Sequence, residues 1–163
     1  MPDVKTFADL EADFQAVVSK IIWPSMTTID RRGRPRTRIV HPMWEGATGF
    51  VITARGALKV KHLEQQSPYV ALCYVDLEGV NPAANQVYVE SKAEIIDDVE
   101  EKQRVWELFK SQPEPYGYDP AQFFPAGPTD PEIGVLKLTP WRLEVFSLAA
   151  AMSGGPKVWR QDV

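Results

Sequence analysis

One cysteine and two histidines are all that this 163-residue chain offers to a disulfide or a soft metal. A lone thiol makes no disulfide framework and no Cys-rich metal site. With only His41 and His62 as imidazoles, a His-based zinc site has too few ligands, so no metal is expected. Cys73 lies in the apolar run Tyr69–Val75, where a buried, inert thiol is expected. No apolar run approaches the roughly 20 residues that a membrane-spanning helix needs. The N-terminus has no signal-peptide pattern, so a soluble protein of a reducing cytoplasm is expected. An excess of positive charge is also missing. The net charge is −4 and the isoelectric point about 5.2, which argues against a dedicated nucleic-acid binder. No GxSxG, HExxH or P-loop is present, and no serine has an evident histidine partner. Without a visible acid–base set, two classes remain open. The protein binds something without turning it over, or a cofactor carries the chemistry and the chain positions it.

What is present is an ordinary globular composition, 44% hydrophobic and 25% charged, long enough for one domain over 1–163 with its own core. Phe7, Leu10, Phe14, Val17, Val18 and Ile21 recur at helical spacing, predicting an N-terminal helix over 6–22 with Thr6 as its cap. Trp23-Pro24 stops it. A hairpin follows: strand Ser25–Ile29, a turn at Asp30–Gly33 and strand Arg34–Trp44. Strand Phe50–Thr53 leads through Arg55-Gly56 into a helix over 57–66, with Leu58 and Leu63 inward and Lys59, Lys61 and His62 near the surface. Tyr69–Val75 is apolar enough for a strand covered on both faces. After a loop at Gly79 and Asn81-Pro82, Gln86–Ile96 alternates, with Val87, Val89, Ser91 and Ala93 on one face. Asp98 to Glu101 is a capping-box pattern that opens a helix to about Gln112. Residues 113–132 hold six prolines and the aromatics Tyr116, Tyr118, Phe123 and Phe124. A loop of that length in a compact domain is usually functional. Strands over 133–139 and 141–148 and a tail over 149–163 complete the chain. Strands joined by turns, with few and short helices, predict an antiparallel barrel of mainly β (α+β) class.

Two constellations point to an anion. Arg34, Arg36 and Arg38 alternate along one strand, so their guanidinium groups share a face and repel unless solvent or an anion lies over them. Thr53, Arg55 and Lys59 surround a strand-to-helix turn, where a hydroxyl, two charges and helix N-terminal N–H groups converge. The alternatives are a solvated hairpin face and an ordinary basic turn. The tail pair Trp159-Arg160 reads as a ligand clamp or as a terminal anchor.

In order and spacing, four segments resemble the pyridoxamine 5′-phosphate oxidase-like family of FMN-binding split-barrel proteins. They are MTTIDRRGRPRTRIVHPMW, GFVITARGALKVKHLEQQSPYVAL, QVYVESKAEIIDD and LTPWRLEVF, which together span roughly Ile22 to Arg160. The resemblance implies a six-stranded antiparallel split β-barrel with a few flanking helices, paired as a homodimer with cofactor sites at the interface. It implies a flavin cofactor, FMN, with a 5-deazaflavin coenzyme or haem as alternatives, and an oxidoreductase acting on a small molecule. Carried over by position, Arg36, Arg38 and His41 line the flavin. Thr53 and Lys59 hold its phosphate, Gln86 reaches across from the partner chain, and Trp159 and Arg160 match a C-terminal pair. The chain also departs from the family pattern. Ala57-Leu58 stand where the family has Ser-Arg, which leaves Arg55 as a substitute contact. His41 stands in place of a lysine. The stretch Ser147–Ser153 lacks the Arg-x-His pair of the oxidase proper, so that activity is not expected. Neither nucleic acid nor membrane is an expected partner.

Overall fold

The computed structural model describes residues 3–77, 85–147, 150, 152 and 154–162. The expected loop at Gly79 and Asn81-Pro82 lies outside them, as does part of the tail. Among the described residues the chain forms eight strands and three α-helices: α1 (Glu11–Val18), β1 (Ser25–Ile29), β2 (Pro35–Ile39), β3 (Pro42–Glu45), β4 (Thr48–Ala54), α2 (Leu58–Gln65), β5 (Tyr69–Val75), β6 (Gln86–Ile96), α3 (Val99–Ser111), β7 (Ile133–Phe146) and β8 (Lys157–Arg160). All strand pairs within the sheet are antiparallel, in the order β2-β1-β5-β6-β7-β4-β3, with β8 added to β7. The split-barrel expectation holds, with two more strands than the six implied. The predicted strand 34–44 breaks at Val40-His41, and the tail adds β8.

The two predicted strands at 133–139 and 141–148 are one strand, β7. Pro140 has no N–H to give a ladder, yet it sits opposite Ser91, where the register of β6 shifts and the ladder is already interrupted. The N-terminal helix is shorter than its periodicity suggested. A single 3-10 turn over Phe7–Asp9 precedes α1, closed by the Thr6 backbone N–H (2.9 Å) and hydroxyl (3.0 Å) donating to the Asp9 carboxylate. The N-cap half of the capping-box reading at α3 is met, as Asp98 accepts the Glu101 N–H at 2.8 Å, while the Glu101 carboxylate is taken by Arg104.

Two apolar clusters hold the sheet. One fills the barrel with Phe14, Val17, Trp44, Val51, Leu72, Val87, Val89 and Leu143. The other packs α3 through Val105, Trp106 and Phe109 onto Met43, Phe50, Ile52, Ile133 and Val135. β4 is therefore buried on both faces, with Val51 in the first cluster and Phe50 and Ile52 in the second, as is the start of β7, with Leu136 in the first and Ile133 and Val135 in the second. β5 was expected to be, but its second face is open: Tyr69 and Ala71 are exposed and Cys73 is only half-buried. The β6 face is met in full, with Val87, Val89, Ser91 and Ala93 all buried. Gly49 is fixed by close approach: a Cβ there would lie 2.7 Å from the Trp44 ring opposite it.

Candidate functional site

β4 ends at Ala54, and α2 starts four residues later with Ala57 at its N-cap, which supplies no side-chain acceptor. This turn places Lys59 inward, so that its Nζ donates to Thr53 Oγ1 at 2.7 Å. An ammonium only donates, so the Thr53 oxygen is the acceptor and its own hydrogen stays free to donate. Burial, and then the positive charge of Arg38, hold the Lys59 pKa below its ordinary value. One guanidinium nitrogen of Arg38, Nη1, is buried without a hydrogen-bond partner among the described residues. Lys59, Thr53 and Arg38 thus form a corner of donors with no acceptor left to spend. A buried unmet donor is costly. An anion with several oxygens would suit such a donor set.

The expectation that Leu58 faces inward is overturned. Leu58 is 56% exposed, and Val60, fully buried, takes the core position with Leu63. The helix is rotated so that Lys59 lies on the cleft side. His62 lies against β1, with Nδ1 2.9 Å from the Thr28 hydroxyl.

The corner opens into a cleft of about 720 Å³, within the range of small-molecule sites. Its floor is β4 from Val51 to Ala54 and the bend Ile39–His41; its roof comes from the long loop, with Glu114, Pro115, Tyr118, Phe123 and Phe124. The long loop thus forms one wall of the cleft. The loop is pinned at both ends. Gly117 N–H donates to Pro113 at 2.8 Å and Tyr118 N–H to the Phe109 carbonyl at 3.1 Å, while Arg55 N–H holds Glu132 at 2.7 Å. A Cβ on Gly117 would fall 2.2 Å from the Gln112 carbonyl, so only glycine lets the loop lie against the end of α3. Gly117→Ala is expected to lift the loop and raise protease sensitivity within 113–132, read by limited proteolysis; an unchanged digestion pattern would count against this account.

His41 lies beneath that loop. Its Nε2–H donates to the Tyr116 carbonyl at 2.6 Å, since a carbonyl only accepts. Rings of Trp23 (4.8 Å), Tyr118 (5.0 Å) and Phe109 (5.9 Å) surround it. Burial lowers its pKa from 6.5, and the Tyr116 bond only partly offsets this. Between the lowered value and 6.5 the unfolded chain binds more protons than the folded one. Stability therefore falls as the pH drops below about 6.5. Urea unfolding at pH 7.5 and pH 5 is expected to show a larger loss for the wild type than for His41→Gln; equal losses would assign the effect to other groups.

The other sequence candidates lie elsewhere. Arg36 faces a second cleft of about 440 Å³ with Arg31, Arg32, Arg34, Lys61 and His62. Asp30, unremarked in the sequence beyond its turn, anchors that hairpin. It binds Arg34 at 2.8 and 3.0 Å, accepts the Arg32 and Arg34 N–H groups, and lies 3.7 Å from Arg36. These donors hold its carboxyl well below the usual range. Arg55 is paired with Glu64 at 2.6 Å. Gln86 accepts a hydrogen bond from the Tyr88 hydroxyl at 2.5 Å on the same strand. Trp159 is buried in the barrel cluster against Phe7, and Arg160 pairs with Asp3. Within this chain, then, Arg38, His41, Thr53 and Lys59 come together, and the other five do not join them. Trp23, read only as a helix stop, is 62% exposed at the cleft mouth beside Ile39 at 62%. A tryptophan before a proline was the one signal the sequence offered for it.

No helix among the described residues is long and apolar enough to cross a membrane. A sequence model of pyridoxamine 5′-phosphate oxidase matches residues 10–146. Several solved structures share the fold. General stress protein 26 from Bacillus anthracis is 19% identical, with a TM-score of 0.61, covering 84% of this chain and 93% of its own. A pyridoxamine 5′-phosphate oxidase-related, FMN-binding protein from Nostoc punctiforme is 18% identical, with a TM-score of 0.57 and coverage of 87% and 81%. A protein described as an F420 reductase is 17% identical, with a TM-score of 0.58 and coverage of 79% and 94%. No curated protein matches the sequence.

Proposed function

The chain belongs to the pyridoxamine 5′-phosphate oxidase family, and from that premise we propose that it holds a flavin-type cofactor by its phosphate in the Lys59 corner. In this reading it is a cytoplasmic oxidoreductase that acts on a small molecule. The observation that carries the reading is the buried Arg38 Nη1, unpartnered among the described residues, with its charge acting on the Lys59–Thr53 pair. These three residues fit a phosphate group by donor count and by charge. When bound, a flavin supplies hydride transfer, which this donor set and a neutral imidazole do not provide by themselves.

The chain's own residues bind, orient and exclude water. Lys59, Thr53 and Arg38 take the phosphate oxygens. Ile39, Val40 and His41 offer a flat apolar wall for a tricyclic ring, and His41, neutral and tied to Tyr116, keeps that wall in place. The roof from Tyr118 to Phe124 shields the space from solvent. A 5-deazaflavin coenzyme has a ring of the same shape and a phosphoryl-bearing tail, so the corner suits it equally. Haem suits the cleft less well, because the His41 nitrogen Nε2 is committed to a carbonyl. The protein acts as a homodimer in this reading. The open face of β5, with Tyr69 and Ala71 exposed, offers a seat for a second copy, and Gln86 is the residue expected to reach across.

The test is titration of the purified protein with FMN and with a 5-deazaflavin coenzyme, followed by reduced nicotinamide or reduced deazaflavin with an electron acceptor. Saturable binding of one cofactor with turnover is expected. Binding without turnover would leave a binding protein on the same fold. No binding of either cofactor would reject the reading.

A further inference from the structure

The cleft has two chemically different ends. Its donor corner holds Lys59 and Thr53, with the Arg38 charge acting on Lys59. The opposite end is walled by Trp23, Ile39, Tyr118, Phe123 and Phe124, and among the described lining residues its one charge is Glu114, exposed at the rim. Within that apolar end the Tyr118 hydroxyl has no hydrogen-bond partner among the described residues. Burial alone pushes its pKa up to about 12, so it stays a neutral donor across the working pH range.

Tyr118 is also held rigidly. Its ring is clamped by His41 (5.0 Å), Phe109 (5.3 Å) and Phe123 (6.0 Å). Its N–H is tied to Phe109 at 3.1 Å, and the residue before it is the glycine with no room for a Cβ. A loose surface tyrosine would turn its hydroxyl to water. Here the surrounding rings fix the phenol, and a ligand that fills the chamber and offers it no acceptor leaves a stranded donor. Such a mismatch discriminates strongly between otherwise similar ligands. A phenol is a better donor than acceptor, so the matching group is an acceptor oxygen. No cation at this end balances a negative ligand, and the aromatic walls call for a flat one.

We propose that Tyr118 is the specificity-determining hydrogen-bond donor of a substrate subsite in this cleft, and that the compound it selects is flat, uncharged and carries a conjugated carbonyl oxygen. The assignment rests on the Lys59 corner being the cofactor's end of the cleft.

The test uses 2-acetylnaphthalene as the uncharged probe and 2-naphthoate as its charged counterpart. Binding is read by calorimetry on the full chain, with and without FMN, and the bound carbonyl stretch by infrared difference spectroscopy. The neutral probe is expected to bind, at least tenfold more tightly than the carboxylate, with its carbonyl band shifted to lower frequency. Tyr118→Phe is expected to weaken the neutral probe about five- to tenfold, the effect of one lost hydrogen bond. It should also abolish the band shift. No binding of the neutral probe, equal binding of the two probes, or an unshifted band in the wild type would overturn the proposal. So would a Tyr118→Phe variant with wild-type affinity and band position. The two readings fail separately. Cofactor binding without the probe result rejects the Tyr118 assignment alone, and the probe result with no binding of either FMN or a 5-deazaflavin coenzyme rejects the cofactor reading alone.

Discussion

Replacing Lys59 with alanine is expected to weaken a phosphate-bearing flavin by about 1.5–3 kcal/mol, the scale of a charged hydrogen bond, or roughly ten- to a hundredfold in dissociation constant. The same change should leave stability nearly untouched or raise it. Lys59 is a half-buried cation beside Arg38, and its folded pKa is depressed for that reason. Without an anion its charge is a burden on the folded state; with one it is the anchor. The pH dependence follows with a definite sign. Lys59 must be protonated to hold the phosphate, so affinity is full below its lowered pKa and falls as the pH rises through it. Equilibrium titration of wild type and Lys59→Ala across the alkaline range reads both effects. A variant with unchanged affinity would put the phosphate elsewhere, with the second cleft around Arg36 as the next place to look.

The opposite pattern is expected for Phe109→Ala. Phe109 is fully buried in the cluster that joins α3 to β4 and β7. Its ring meets both His41 and Tyr118, and its carbonyl holds the Tyr118 N–H. Truncating a buried phenylalanine costs about 3–5 kcal/mol through lost transfer energy and the cavity left behind. Here the cavity opens directly under the cleft. Urea unfolding should show the lost stability, and the cleft ligands should bind more weakly because the loop and His41 lose their backing. A loss below about 1 kcal/mol would mean that the cluster closes over the gap, against the usual behaviour of a close-packed core. Together the two variants separate binding from scaffold: one loses affinity at constant stability, the other loses stability first.

Period-two patterning located β6 and its buried face residue by residue, because one face of that strand packs in the barrel and the other does not. It failed for β5. An apolar strand reads the same whether its second face meets its own chain or stands open, and Tyr69 and Ala71 stand open. β4 is doubly buried instead, where Phe50 and Ile52 meet α3 across a distance in sequence that no local pattern encodes. The Thr53–Lys59 contact was legible because a turn brings the two residues together locally. Which way α2 rotates was not: Leu58 and Val60 are both apolar, and packing against β1 and β6 chooses between them. The arginine row divided for a similar reason. Asp30, folded back under the hairpin tip, takes Arg34 and lies beside Arg36, and leaves Arg38 to the Lys59 corner. Trp159 reads as a ligand clamp or a terminal anchor, and the structure gives the anchor, because β8 adds it to the barrel core. Of the long loop the sequence showed that it mattered, through its length and aromatics. That Tyr118 is the side chain fixed over the cleft depends on Gly117 touching the end of α3.

The donor corner as a phosphate site is tested most directly by comparing the affinities of FMN and riboflavin for the wild-type protein under identical conditions. The two ligands share a ring and differ in the phosphate. If Lys59, Thr53 and Arg38 hold that group, FMN binds at least about a hundredfold more tightly, as expected for two or more charged hydrogen bonds, and the advantage shrinks in Lys59→Ala. Equal affinity for FMN and riboflavin would contradict the account.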